Sequence, residues 1–364
     1  MKPIDLHLVA AARPNFMKVA PIFHALRREV WCRTALVHTG QHYDANMSDA
    51  FFRDLALPEP DHHLGVGSGS HAEQTAGVMV AYEHLCREAR PDWVIVVGDV
   101  NSTMACTIVA AKLGIKVAHL EAGLRSRDRT MPEEINRIVT DALADLLWTP
   151  SPDADENLRA EGVAPERIER VGNVMIDSYE LLRNRIAQSR PREQFGLEAR
   201  HYGVVTLHRP VNVDDEAALA VLVAELCAVA AKLPLIFPVH PRTRQRLEAF
   251  GLLPKLAGAP GLYLSEPLGY VEFMGLVSEA ALIITDSGGV QEETTYLGIP
   301  CLTLRTTTER PITVTEGTNR LLQPAALRGA VEAVLRGEGR SGRVPELWDG
   351  HTADRVVASL KRRS

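Results

Sequence analysis

The chain has 364 residues, enough for about two domains, and 46% of them are hydrophobic, which suffices for two cores. The formal net charge is −6, and Lys and Arg are scattered, which excludes the basic footprint of a nucleic-acid-binding protein. We expect no membrane partner, because neither a signal-peptide core nor an uncharged segment of spanning length is present. Five cysteines at unrelated spacings indicate buried thiols in a cytoplasmic protein and no metal site.

Short apolar runs alternate with helix-like stretches in the first half of the chain. Strands are predicted at residues 4–9, 34–38, 93–97, 117–120 and 146–149. Helices are predicted between them at residues 16–28, 71–87, 102–113 and 132–144. The β-α-β-α order is typical of an α/β, doubly wound parallel sheet.

The same pattern restarts after a proline-containing stretch at residues 150–165. Further strands are predicted at residues 168–171, 203–207, 235–239, 261–264 and 281–285, and a final helix at Thr352–Lys361. We therefore predict an N-terminal domain over residues 1–170 and a second α/β domain over residues 171–351.

Polar side chains follow the apolar strands in both predicted domains. They are Arg13, Asp99, Glu121, His208, His240 and Ser287. Because open α/β sheets bind ligands at the carboxyl ends of their strands, this pattern predicts a binding cleft between the two domains.

The segment ALIITDSGGVQEETTYLG at residues 281–298 combines a strand, a turn and a helix start. Ser287 can cap the helix, and Gly288 and Gly289 let an anion approach unpaired backbone N–H groups, so we predict a diphosphate site. One turn further on, Glu293 can accept two hydrogen bonds from vicinal ribose hydroxyls. The alternative is an ordinary strand-to-helix turn whose acids complement the helix dipole.

Each remaining candidate also has a structural alternative. Arg13 can simply end a strand, and Asp99 in GDVNST can be a helix N-cap. The run Thr130-Met131-Pro132-Glu133 fits a capping box with proline at the first helical position. His208 can be a structural histidine. Glu121 directly follows an apolar strand, so a purely structural role explains it least well.

Several motifs together resemble the UDP-N-acetylglucosamine 2-epimerase family, in order and along nearly the whole chain. They are ARPN, GDVNST, HLEAGLRS, PEEINR, TLHR, PVHPR, TDSGGVQEE and TTERP. The resemblance implies a GT-B fold, two Rossmann-like domains with the C-terminal helix (352–364) packing back on the first. It also implies a homodimer that interconverts UDP-N-acetylglucosamine and UDP-N-acetylmannosamine for polysaccharide biosynthesis, without a cofactor.

The resemblance also assigns site residues. It implies that the catalytic groups are Asp99, Glu121, Glu133 and His208. It implies UDP contacts from Arg13, His208, Phe273, Ser287, Gly288, Gly289, Glu293 and Arg310. Lys18 either adds to the field at the diphosphate or is merely solvated.

Some family members bind a second, activating UDP-N-acetylglucosamine. Gln41, Arg209 and His240 match that possible regulatory site. The Arg expected just before Gln74 is absent, because Ala72 and Glu73 occupy that stretch. Another departure is Ile312 after TTERP, where Glu is common in the family, and the exact sugar stays open.

The expected reaction explains a site with several carboxylates and no cofactor. The C2 hydrogen of a 2-acetamido sugar does not adjoin a carbonyl, so its removal must be coupled to departure of UDP from C1. A glycal intermediate then takes a proton on the opposite face, and UDP adds again. Two faces require two acid/base arrangements, each typically contributing about 10² to 10⁴ in rate.

Other functions remain open at this point. A hydrolysing epimerase, or one acting on a modified sugar such as a diacetamido uronic acid, needs similar residues. A GT-B glycosyltransferase would not need three acids in its first domain, and a non-catalytic sensor should have lost some of them. A nicotinamide-dependent epimerase is disfavoured, because no Gly-x-Gly-x-x-Gly follows the first strand.

Overall fold

The computed structural model describes residues 2–11, 13–40 and 54–364, excluding the side chains of Arg13 and Pro14. The chain forms two compact units, unit 1 (Met1–Leu181 with Glu346–Ser364) and unit 2 (Leu182–Pro345). The division falls inside a helix instead of at residue 170, and a continuous helix gives no boundary signal in the sequence. The cleft expected between the domains stays a prediction.

Unit 1 is built on a seven-stranded parallel sheet. Its strands are β1 (Ile4–Ala10), β2 (Cys32–His38), β3 (His62–His63), β4 (Trp93–Val97), β5 (Lys116–Leu120), β6 (Leu146–Thr149) and β7 (Ile168–Arg170). The intervening helices are α1 (Arg13–Leu26), α2 (His71–Glu88), α3 (Asn101–Lys112), α4 (Pro132–Leu143), α5 (Pro152–Ala160) and α6 (Val174–Gln188). The strand order β3-β2-β1-β4-β5-β6-β7 brings β1, β4 and β5 together at the centre.

The central strands of unit 1 are covered on both faces, which explains why they are apolar without alternation. All five residues of β4 are buried. On one face, Val94 and Val96 pack with Tyr82 of α2 and Cys106 of α3. Four of the five cysteines are buried and Cys227 is partly buried, as the prediction of buried thiols requires.

Unit 2 is built on a six-stranded parallel sheet of order β10-β9-β8-β11-β12-β13. Its strands are β8 (Gly203–Thr206), β9 (Leu235–Pro238), β10 (Leu262–Ser265), β11 (Leu282–Thr285), β12 (Cys301–Thr303) and β13 (Asn319–Leu321). Its helices are α7 (Pro210–Val213), α8 (Glu216–Ala230), α9 (Pro241–Ala249), α10 (Leu253–Ala257), α11 (Tyr270–Ser278), α12 (Gly288–Leu297), α13 (Pro311–Thr315) and α14 (Leu327–Ala333).

The C-terminal helix α15 (Thr352–Lys361) belongs to unit 1, where it packs against α1. Val356 and Leu360 are buried, and the Trp148 indole Nε1–H donates to Ser359 Oγ at 2.9 Å. Of the helices in the described ranges, none is long and apolar enough to cross a membrane.

Every strand predicted from the sequence is present, and the predicted two-domain α/β fold is confirmed. The sequence analysis missed β3, β12 and β13. These strands have two or three residues each, too few to show a periodic pattern.

Candidate functional site

Glu121 directly follows β5 in unit 1 and combines three unusual properties. Its φ is +69°, in the left-handed region that residues with a β-carbon rarely adopt. It is 5% exposed, and its Oε2 pairs with Lys18 Nζ of α1. Its Oε1 is buried and has no hydrogen-bond partner among the described residues. One carboxylate oxygen is thus fixed by a cation and the other is available.

Gly98 at the end of β4 makes this arrangement possible. Its φ is +70°, and a β-carbon there would lie 3.3 Å from Lys18 Nζ and 3.5 Å from Glu121 Oε2. Glycine therefore supplies both the turn and the room for the ion pair. Lys18 is not simply solvated, because its side chain is 12% exposed and carries this ion pair.

Asp99 follows Gly98 and faces Arg137 of α4. Asp99 Oδ2 and Arg137 Nη1 are 2.5 Å apart, and Arg137 is 2% exposed whereas Asp99 is 29% exposed. The alternative of a helix N-cap is wrong, because Val100 occupies the N-cap of α3. The ion pair keeps the Asp99 carboxylate at the sheet edge, partly open to solvent.

The neighbouring acids Glu133 and Glu134 differ in environment. Glu133 is exposed in the first turn of α4, and the capping box is wrong because Met131 is the N-cap and Thr130 Oγ1 donates to Asp128. Proline at the first helical position is confirmed.

Glu134 is buried and was missed by the sequence analysis. It accepts hydrogen bonds from Ser126 N and Oγ, both at 2.9 Å, and pairs with Arg137 Nη2 at 2.6 Å. Burial alone would raise the pKa of Glu134, but the bonds from Arg137 and Ser126 outweigh it and hold the pKa below its usual value. The signal was available, since residues 134 and 137 lie on one helical face.

Amide side chains complete the Asp99 turn. Asn136 Nδ2 donates to the Asp99 carbonyl oxygen at 2.9 Å and to Asn101 Oδ1 at 3.2 Å. Asn101 Nδ2 in turn donates to Gln74 Oε1 at 2.9 Å. The turn is therefore anchored by α2, α3 and α4 together.

In unit 2, β11 leads into α12 through the predicted phosphate cradle. Ser287 occupies the N-cap, but its side chain makes no capping hydrogen bond, and its N–H donates to Thr285 Oγ1 at 2.9 Å. A β-carbon on Gly288 would lie 2.6 Å from Glu309 Oε1 and 2.8 Å from Arg310 Nη1. Glycine is therefore required for Arg310 to reach the helix start.

Arg310 brings a buried positive charge to this helix start. Its guanidinium pairs with Glu292 Oε1 at 2.8 Å and Glu309 Oε1 at 2.5 Å. Burial alone would raise the pKa of Glu309, but the charges of Arg310 and Arg305 hold it far below its usual value. The donors at the helix start and a fixed guanidinium form an arrangement suited to a phosphate group.

His208 follows β8 and is oriented by Asp286, which the sequence analysis had not selected. Asp286 is fully buried, and its Oδ1 accepts from the His208 Nδ1–H at 2.9 Å. The backbone N–H groups of His208 and Arg209 and the Asn212 amide donate to the same carboxylate at 3.1, 2.9 and 3.0 Å. This arrangement places the ring proton on Nδ1 and directs Nε2 away from Asp286.

Burial alone would raise the pKa of Asp286, but its bond to His208 outweighs burial and holds the pKa below its usual value. The His240 ring lies 5.6 Å from the His208 ring, and His240 Nδ1 caps α9 by accepting from Arg242 N. Burial, followed by the charge of His208, lowers the pKa of His240. Arg209 donates from Nε to the Asp286 carbonyl oxygen at 3.0 Å.

Glu293 lies one turn into α12 and is 4% exposed. The Tyr270 hydroxyl of α11 donates to its Oε1 at 2.8 Å. Burial raises the pKa of Glu293 to about 8, with a further contribution from Glu292. Phe273 lies one turn after Tyr270 on α11 and is partly buried.

For three of the predicted site residues, the described part of the structure shows no side-chain contact with the other site residues. Gln41 and the side chain of Arg13 lie outside the described residues, and Glu133 has no side-chain partner within them. The described ranges also contain no cluster of His, Cys, Asp and Glu suited to hold a metal ion.

The chain resembles known proteins over nearly its full length. Residues 24–361 match the family model described as UDP-N-acetylglucosamine 2-epimerase. The chain is 40% identical to the UDP-N-acetylglucosamine 2-epimerase of Methanocaldococcus jannaschii, over 98% of this chain and 99% of that protein. It is 39% identical to the UDP-2,3-diacetamido-2,3-dideoxy-D-glucuronate 2-epimerase of Pseudomonas aeruginosa, over 87% and 88% respectively.

The structural comparison agrees with the sequence comparison. A crystal structure of the M. jannaschii protein in complex with UDP-GlcNAc and UDP superimposes with a TM-score of 0.89. The two chains are 39% identical in that alignment, which covers 99% of this chain and all of the other.

Proposed function

The chain belongs to the UDP-N-acetylglucosamine 2-epimerase family, and from this premise we propose that it is a non-hydrolysing epimerase of UDP-N-acetylglucosamine and UDP-N-acetylmannosamine. In the proposed reaction UDP leaves C1 as C2 loses its proton, and UDP adds again after C2 is reprotonated on the other face. The observation that carries the proposal is the Glu121 carboxylate, buried, fixed by Lys18 at one oxygen and available at the other.

Unit 1 supplies the proton chemistry in this proposal. Glu121 and Asp99 follow adjacent strands, and each forms an ion pair, Glu121 with Lys18 and Asp99 with Arg137. A carboxylate with a fixed counter-charge and a free oxygen can accept a proton and return it. Glu133, exposed in the first turn of α4, is the third proposed proton-handling group.

Unit 2 supplies the UDP site. The helix start at Ser287, Gly288 and Gly289 would bind the diphosphate together with Arg310, and Glu293 would accept bonds from the ribose hydroxyls. Phe273 would contact the uracil.

His208 has the geometry of a proton donor to the departing diphosphate, because Asp286 binds Nδ1 and orients the ring. Stabilising charge that develops on a leaving group is usually the largest contribution to rate. Arg13 would add positive charge near the departing diphosphate, as the family resemblance implies.

The test is nuclear magnetic resonance of the purified protein with UDP-N-acetylglucosamine in D₂O. We expect deuterium at C2 of a mixture of both UDP-sugars with only trace free UDP. Stoichiometric UDP with free N-acetylmannosamine would instead assign the hydrolysing reaction. No C2 exchange with this substrate would reject the proposal.

A second candidate function is 2-epimerisation of a UDP-2,3-diacetamido uronic acid. The similarity to the P. aeruginosa protein favours it, at an identity close to that of the M. jannaschii relative. The same exchange experiment with that substrate decides between the two, by the ratio of kcat/KM.

The cytoplasmic location, the homodimer and a role in polysaccharide biosynthesis follow from the family resemblance and belong to the proposal. We do not include activation by a second UDP-N-acetylglucosamine in the proposal. Arg209 and His240 are already engaged by Asp286 and Arg242, and Ala72 and Glu73 precede Gln74. We therefore expect rates that follow substrate concentration without sigmoidicity.

A further inference from the structure

Two buried side chains lie beneath the turns that carry the proposed acid/base groups. His119 is the second-last residue of β5 and is 0% exposed, and Asp141 of α4 is 1% exposed. Neither was selected from the sequence, and neither has contact with solvent. Their hydrogen bonds connect the Asp99 turn with the Glu121 turn.

The connection runs through both ring nitrogens of His119. Nε2–H donates to the Gly98 carbonyl oxygen at 2.8 Å, one residue before Asp99. Nδ1–H donates to Asp141 Oδ1 at 2.7 Å. Asp141 Oδ2 accepts from the Gly123 N–H at 3.0 Å, two residues after Glu121.

These partners require a doubly protonated ring. A carbonyl oxygen only accepts, so Nε2 carries a proton. Asp141 Oδ2 also forms an ion pair with Arg125 Nη1 at 2.7 Å. Burial alone would raise the pKa of Asp141, but His119 and Arg125 outweigh it and hold the pKa below its usual value. The carboxylate is therefore ionised, and Nδ1 carries a proton as well.

Arg125 links this buried pair to the surface. It forms a two-pronged pair with Glu161, at 2.9 and 2.6 Å, and Glu161 is exposed.

We propose that His119 and Asp141 form a charged clamp that positions the Asp99 and Glu121 turns relative to each other for proton transfer. This inference rests on the proposed function of those two carboxylates. The strand register ends at Val97 and Leu120, and one further bond joins Gly98 N to the Leu120 carbonyl oxygen. Beyond that point the clamp, instead of the sheet, joins the two turns.

Two substitutions of His119 separate its two bonds. The Gln amide nitrogen reaches the position of Nε2, so His119→Gln keeps the hydrogen bond to the Gly98 carbonyl oxygen and loses the one to Asp141. The Asn amide nitrogen reaches the position of Nδ1, so His119→Asn keeps the hydrogen bond to Asp141 and loses the one to Gly98. We expect each to lower kcat for C2 exchange about 10- to 100-fold, because misplacement by about 1 Å has that effect.

The clamp predicts that KM and the Kd for UDP stay within about two-fold of wild type in both variants, because neither residue belongs to unit 2. Asp141→Asn should lower kcat similarly, and combining it with His119→Gln should add little. The matched control is His7→Gln in β1. His7 is also buried, at 4% exposure, and its Nδ1 forms a hydrogen bond with the Tyr82 hydroxyl at 3.2 Å, away from the Asp99 and Glu121 turns.

A kcat near the wild-type value in both His119 variants would overturn the clamp. So would an equal loss of kcat in the His7 control, since that would reflect general loosening. Wild-type protein labelled with ¹⁵N-histidine gives a readout that needs neither turnover nor a folded variant. On the His119 ring, Nε2 should carry a proton, because the Gly98 carbonyl oxygen that it contacts can only accept a hydrogen bond. Finding no proton on this Nε2 would refute the clamp without bearing on the epimerase reaction.

Discussion

The buried carboxyl of Glu293 should make the stability of unit 2 depend on pH. Burial raises its pKa to about 8, from an ordinary value of about 4.5 for a glutamate carboxyl. Between these two values the folded protein holds a proton on Glu293 that the unfolded chain has lost. Stability should therefore fall as pH rises from about 4.5 to about 8, and this contribution should not change further above that pH.

The magnitude follows from the shift. Each pKa unit corresponds to about 1.4 kcal/mol, so the full difference costs about 5 kcal/mol of stability by about pH 8. Glu293→Gln removes the titrating group but keeps an oxygen that can accept from Tyr270. The variant should therefore gain stability over wild type as pH rises, and the two should agree most closely at about pH 5.

The assay must report on unit 2. Tryptophan fluorescence does not, because all four tryptophans, at positions 31, 93, 148 and 348, lie in unit 1. Hydrogen exchange of the α12 peptide, read by mass spectrometry across a denaturant series, reports the opening free energy locally. A constant difference between wild type and Glu293→Gln from about pH 5 to about pH 8 would refute the reasoning.

Tyr270→Phe is the matched control for this experiment. Its hydroxyl bond lowers the pKa of Glu293 against the effect of burial, so removing it should extend the pH-dependent loss to higher pH. The same carboxyl should release a proton when UDP binds at neutral pH, if ribose hydroxyls bond to it. Calorimetry in two buffers of different ionisation enthalpy measures that release, which should be absent in Glu293→Gln.

Three further predictions concern the proposed reaction. Glu121→Gln should lower turnover by about 10² to 10⁴ and leave UDP affinity within a few-fold; ordinary turnover in this variant would remove Glu121 from the mechanism. Arg310→Ala should weaken UDP binding about ten-fold or more in calorimetry, and should also lower the unfolding midpoint because the buried carboxylates of Glu292 and Glu309 each lose their ion pair with Arg310; unchanged affinity would contradict the proposed phosphate contact. Asp286→Asn should lower kcat by about 10² or more because Nδ1 of His208 loses its ionised acceptor, and an unaltered pH–rate profile would argue against that orientation.

The sequence predicted the positions of the strand ends well, because apolar runs and the polar residues after them are local signals. It predicted the last helix at the observed bounds for the same reason. It failed where the decisive contact is long-range. His119 lies inside an apolar strand and Asp286 inside a turn, and only the folded chain shows that they orient Gly98 and His208.

The sequence pattern also does not distinguish the environments of adjacent acids. Glu133 and Glu134 are equally plausible from the motif alone, yet one is exposed and the other is buried against Arg137. The capping box suggested for residues 130–133 failed because Thr130 bonds to Asp128 instead. The orientation of the helix relative to the core decides which of two neighbouring side chains is buried. A four-residue motif does not contain that information.

The ends of β4 and β5 offer an internal comparison of what fold and function require. The residue that directly follows each strand has nearly the same left-handed φ, +70° at position 98 and +69° at position 121. Position 98 carries glycine, for which this conformation has no steric penalty. Position 121 carries a glutamate, at a backbone cost of about 1 to 3 kcal/mol, with one buried oxygen unpartnered within the described ranges. The fold alone would be satisfied by glycine at both ends, so the side chain at 121 is better explained by the proton it transfers in the proposed reaction than by the structure it joins.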